Sequence, residues 1–200
     1  MIEDQAREDI ALIRRSIEEG AAYATASSPD MLVWGIAVAL GYLGTYGFVR
    51  GWLPVTPGVL WAACLGLPWL FSLRRVARRV GGREVGVRGP MVQALAMLWF
   101  ACGIFLTTFV VAAMVSGEAR NGWCYAVVAG VMGIGFFASA SLARLPWLRW
   151  VGITWWGGEL VLFALRHRVE ALPLSAALNL LLLAGPGYVL MTRRARRAEA

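Results

Sequence analysis

Apolar residues gather in six runs, at about 31–49, 55–73, 91–115, 123–142, 147–165 and 172–191, and most of the charge falls in short segments between or after them. Each run approaches the roughly 20 residues that a helix needs to cross a hydrocarbon core about 30 Å thick. The punctuation agrees with that division. Ser27-Ser28-Pro29-Asp30 precedes the first run, Pro54 and Pro57 turn the chain into the second, Pro90 opens the third, Asn121-Gly122 turns into the fourth, and Pro146 opens the fifth. The pattern predicts an all-α, polytopic integral membrane protein: six transmembrane helices in three hairpins over 29–192, followed by a basic tail over 193–200.

Small residues recur on two of these runs. Gly41, Gly44 and Gly47 form a stripe on the first, and Gly135, Ser139 and Ala143 on the fourth, where they allow close helix approach. Gly185-Pro186-Gly187 predicts a kink in the sixth run; a broken helix with exposed carbonyls is the sharper alternative.

Residues 1–28 follow another rhythm. Ile10, Ile13 and Ile17 recur on one helical face, and Arg14 and Arg15 each precede a glutamate by four residues. The segment is net acidic with a thin apolar stripe, unlike an interfacial helix, so it predicts a cytosolic amphipathic helix. Its face of Ile10, Ile13, Ile17 and Arg14 is a candidate contact for a cytosolic protein or a second copy. No signal-peptide core precedes residue 30, which leaves the first span as the targeting signal.

Composition supports lipid as the solvent, with 59% hydrophobic and 16% charged residues. The net charge of +7 raises nucleic acid as a partner, but its distribution excludes a recognition helix: the first 30 residues hold three arginines against seven acids, and the other sixteen arginines lie in short segments. Assigned to alternate sides, fifteen arginines fall with the termini and four opposite. The positive-inside rule then places both termini in the cytoplasm, as in a bacterial inner membrane. Trp52, Trp61, Trp123, Trp147 and Trp150 stand near span ends, where indoles anchor at the interface without any cofactor. Cys64, Cys102 and Cys124 show no metal or redox spacing.

One carboxylate changes the picture. Glu159 lies about seven residues from the Arg166 end of the fifth run, roughly 10 Å into the hydrocarbon, where a charge is costly unless it faces other helices. Asn179, Tyr42 and Thr107 or Thr108 fall at a similar depth, Cys64 near it, and Trp155 and Trp156 precede Glu159 by a turn. Together they are candidates for a proton, cation or polar-solute site, the plainer reading being an interior hydrogen-bond cluster. His167 stands alone between two arginines, and Ser139 and Ser141 have no activating base, so no metal, cofactor or catalytic centre is expected. The leading expectation is a non-enzymatic membrane anchor or regulator. It would hold a cytosolic partner, or itself, through the N-terminal helix and the loop from Arg74 to Arg88. The alternative is a proton- or ion-linked transporter centred on Glu159.

Overall fold

The structure is a computed structural model that describes residues 20, 22–23, 25–81 and 89–199. Its described residues are almost entirely helical: α1 Ser28–Val49, α2 Pro57–Gly81, α3 Pro90–Val115, α4 Trp123–Leu142, α5 Trp147–Ala164, α6 Ala171–Asn179 and α7 Gly185–Glu199. A 3₁₀ turn, Glu118–Arg120, follows α3, and a π-helical segment, Leu180–Ala184, joins α6 to α7 as one continuous rod. Prolines near the first turns of α1 and α3 suit positions whose N–H has no intrahelical partner.

Among the described residues, five helices are long and apolar enough to cross a membrane: Ser28–Val49, Pro57–Arg78, Pro90–Val115, Trp123–Leu142 and Ala171–Arg193. The 18 residues of α5 span about 27 Å at 1.5 Å per residue, but Arg149 and Glu159 dilute its apolar character. The helix α2 does not stop where its apolar run ends at Leu73. Helix continues to Gly81, the last described residue of this segment, because arginine is a good helix former.

The core is centred on α4, α5 and the α6–α7 rod. Phe136, Leu148, Trp155 and Leu162 are fully buried there. The closest pairing is α4 with α5, while α1 packs on α2 and along the whole α6–α7 rod. Contacts at opposite ends fix the directions of the chain: Gly122 donates its N–H to the Arg166 carbonyl at one end, and Gly187 meets Ser28 and Leu32 at the other.

Glycines permit these approaches. A Cβ on Gly35 would lie 2.6 Å from the Ala184 backbone nitrogen, inside the contact between α1 and the π segment. The predicted stripe of Gly41, Gly44 and Gly47 receives Trp61, Leu60 and Leu53 from the second helix and its preceding turn. On α4, Gly135 and Ser139 face Trp99 of α3, whereas Gly130 and Gly133 receive Glu159 and Trp156 of α5. By contrast α2 and α3 are peripheral, with 11% and 6% of their membrane-length stretches buried against 50% for α4.

Candidate functional site

The residues expected to share one polar layer do not hydrogen-bond to one another. Asn179, 3% exposed, turns back on its own helix and donates from Nδ2 to the Ser175 carbonyl at 2.9 Å. Thr107 accepts the indole N–H of Trp69 at 3.0 Å, and Thr108 is exposed and donates to carbonyls of its own helix. Trp155 donates to the Leu182 carbonyl at 3.3 Å and Trp156 to the Gly130 carbonyl at 3.2 Å. Glu159 is half-buried with its carboxylate against Gly130, where an added Cβ would sit 3.0 Å from Oε1. It makes no hydrogen bond or ion pair with any described residue.

Indole N–H groups account for much of the lateral bonding between helices. Trp34 reaches Ser72, Trp61 reaches Thr45, Trp69 reaches Thr107 and Trp99 reaches Ser139, so two indole bonds tie α1 to α2 and one each ties α2 to α3 and α3 to α4. Tryptophan suits this role in lipid because a large apolar body carries one donor that must find an acceptor when buried. Trp61, placed near an interface from sequence, is therefore interior, 7% exposed, whereas Trp52 and Trp150 are 71% and 72% exposed.

A polar node at the opposite end of α1 was not singled out from sequence. Asp30 accepts from Arg75 Nη1 at 2.7 Å and from Ser72 Oγ at 3.0 Å, and Arg75 Nη2 reaches the Ala26 carbonyl at 2.9 Å. Asp30 read as part of a capping signal, yet the helix start carries no side-chain cap bond. The available signal was one acid at the start of an apolar run, opposite the arginines that close the next run.

A concavity lies at the Arg166 end. Its volume is about 1100 Å³, just above the usual range for small-molecule sites. Tyr42, Thr45 and Phe48 of α1, Pro57 and Trp61 of α2, Phe109, Val110 and Met114 of α3, and Cys124, Tyr125 and Val128 of α4 form its wall and floor. Arg166, His167 and Arg168 line its rim. The rim is set by the Gly122 contact with Arg166, since any side chain on Gly122 would collide with the Arg166 backbone.

Tyr42 is the deepest of the α1 residues in this cleft. It is 4% exposed, held edge-on between the rings of Trp61 at 5.1 Å and Tyr125 at 5.5 Å. The Tyr125 hydroxyl donates to the Ala119 carbonyl at 3.2 Å, but the Tyr42 hydroxyl has no hydrogen-bond partner among the described residues. Of the residues expected from sequence to form the polar site, Tyr42 alone is in the cleft; Glu159, Asn179, Thr107, Thr108, Trp155 and Trp156 do not line it. Ile10, Ile13, Ile17 and Arg14, with the later part of the arginine loop, lie outside the described residues. Comparison with family models, with curated proteins and with solved structures returns no match.

Proposed function

We propose that the chain is a non-enzymatic, multi-pass membrane protein whose cleft between α1, α2, α3 and α4 binds a ligand drawn from the bilayer. The proposal includes α5 as a sixth span and both termini on the arginine-rich side. The observation that carries it is a wide and mostly apolar cleft lined by Tyr42, whose hydroxyl has no hydrogen-bond partner among the described residues. That hydroxyl can donate one hydrogen bond, worth roughly 0.5–1.5 kcal/mol, to a ligand that carries an acceptor. Native mass spectrometry of protein extracted in mild detergent tests this reading. An amphiphile should be retained by the wild type and lost from Val110→Trp, which fills the cleft; a wild type that retains nothing would end the proposal.

Glu159 supports a second reading, proton- or cation-linked transport of a small solute. What favours it is a half-buried carboxylate in an apolar helix with no described partner. Glu159→Gln should then abolish pH-dependent uptake into proteoliposomes while leaving the fold intact. Uptake unchanged in that variant would remove the reading.

A further inference from the structure

We propose that the ligand of the cleft is an anionic amphiphile that enters sideways from the bilayer between α2 and α3, its head group against Arg166 and Arg168. This rests on the ligand-binding reading above and adds the ligand's charge and its route.

The charge follows from the rim. No aspartate or glutamate is among the described residues lining the cleft, Glu118 being engaged by the lining residue Asn121, and Arg166, His167 and Arg168 stand together at its mouth. Neither Arg166 nor Arg168 forms an ion pair with a described residue. The nearby Arg50 differs, since Glu170 lies 3.9 Å from it. Among the described residues the Arg166 side chain is held only by its own helix, donating from Nη1 to the Phe163 carbonyl at 3.2 Å and lying 5.0 Å over the Phe163 ring. Neither guanidinium is thus neutralised by a described carboxylate, and the pair matches a phosphate or carboxylate attached to a hydrocarbon body. A neutral solute would leave the rim charges unused, and a cation would meet repulsion.

The route follows from how the two peripheral helices meet. The helix α2 packs closely on α1 and reaches α3 through Trp69, which donates to Thr107 and lies edge-on to Phe100. That joint lies two turns deeper along α2 than Trp61. Nearer the Arg166 end, Pro57, Trp61, Val110 and Met114 all line the cleft, and no hydrogen bond or ring contact links the two helices there. The gap lies between the two helices with the least buried surface. Hydrocarbon chains can pass through it without entering water, while the head group stays level with the arginines. The Trp69–Thr107 joint closes the gap below.

The test is a native mass-spectrometric titration of the full chain in neutral detergent with dioleoylphosphatidylglycerol, dioleoylphosphatidylcholine and glycerol 1-phosphate, the last a head group without chains. The wild type should retain the phosphatidylglycerol at least about tenfold over the phosphatidylcholine, as expected for two arginines near an anionic group. Arg166→Gln/Arg168→Gln should bring that ratio close to one. Val110→Trp should reduce retention of both lipids; should it not fold, Met114→Trp, one turn along the same wall, takes its place. An equal ratio in the wild type, or an unchanged ratio in the double variant, overturns the anionic assignment. Loss of lipid in the filled variant would in that case still support the cleft. Undiminished lipid retention in the filled variant overturns the cleft reading itself. Glycerol 1-phosphate bound as tightly as the lipid overturns the bilayer source in favour of a soluble phosphate.

Discussion

The indole nitrogen of Trp155 lies 3.3 Å from the carbonyl oxygen of Leu182, which in an α-helix would accept the N–H of residue 186. Residue 186 is proline and has no N–H, and its ring crowds the carbonyl four residues back. The rod responds with a π segment over Leu180–Ala184, and Gly185 donates to Leu180 instead. Trp155, 1% exposed, supplies the donor from the neighbouring helix. In lipid, where no water can substitute, such a replacement keeps a proline tolerable.

Trp155→Phe should therefore destabilise the protein by about 0.6–2 kcal/mol, the range for a polar contact between membrane helices plus some lost packing. The informative measurement is a double-mutant cycle with Pro186→Ala, followed by unfolding in mixed micelles. Alanine at 186 restores a backbone donor, so Trp155→Phe should cost clearly less in that background. Equal costs in both backgrounds would mean that the indole does not stand in for the proline.

The same crossing predicts a contrast between two glycines. At Gly35 a methyl group would meet the Ala184 nitrogen at 2.6 Å and its Cβ at 2.8 Å, atoms that cannot move aside without shifting the rod. Gly35→Ala should cost about 1–3 kcal/mol as overpacking. At Gly66, in the exposed middle of α2, nothing lies within 4 Å, so Gly66→Ala should be neutral or stabilise by up to about 1 kcal/mol. Thermal unfolding of the two variants in one detergent decides the matter, and a costly Gly66→Ala would point to a partner on that face.

Much of this fold was legible in the hydrophobic pattern, because proline and glycine punctuate it: helices begin at Ser28, Pro57, Pro90, Trp123, Trp147 and Ala171, within three residues of the expected run starts. Position along each helix was legible too, but it carries no azimuth. Glu159, Asn179 and Tyr42 lie comparably far from their helix ends, yet Asn179 bonds within its own helix, Tyr42 stands between Trp61 and Tyr125, and Glu159 rests on α4. Which helix neighbours which depends on packing between distant segments, as in the Trp155–Leu182 bond across 27 residues. The cleft was invisible for that reason. Arg166 and Arg168 entered the count of charges only as exceptions on the sparse side, and nothing local says that an apolar cavity opens beside them.

Asp30 and Arg75 give the third prediction. Their side chains are about a quarter exposed and 2.7 Å apart, and Arg75 also lies over the Phe71 ring at 5.8 Å. Asp30→Ala leaves Arg75 with its bond to the Ala26 carbonyl alone, so a loss of about 1–3 kcal/mol is expected. Burial of the pair also predicts weak screening, so the loss should change little between low and physiological salt. A loss below about 0.5 kcal/mol would place Asp30 among ordinary surface charges.

Tyr42 and Tyr125 give the last. Both rings are packed in the same aromatic group, but only Tyr125 has a hydroxyl bonded to protein, at 3.2 Å from the Ala119 carbonyl. Tyr125→Phe should cost the empty protein about 0.5–1.5 kcal/mol, one hydrogen bond. Tyr42→Phe removes a hydroxyl with no described partner and keeps the ring, so stability should stay within about 0.5 kcal/mol of wild type or rise. Ligand retention should fall in that same variant, by about two- to tenfold for a single lost bond. Measured together, unfolding and retention separate the two roles: a Tyr42→Phe protein that unfolds as easily as Tyr125→Phe and holds its amphiphile undiminished would show a hydroxyl spent on the fold and not on a ligand.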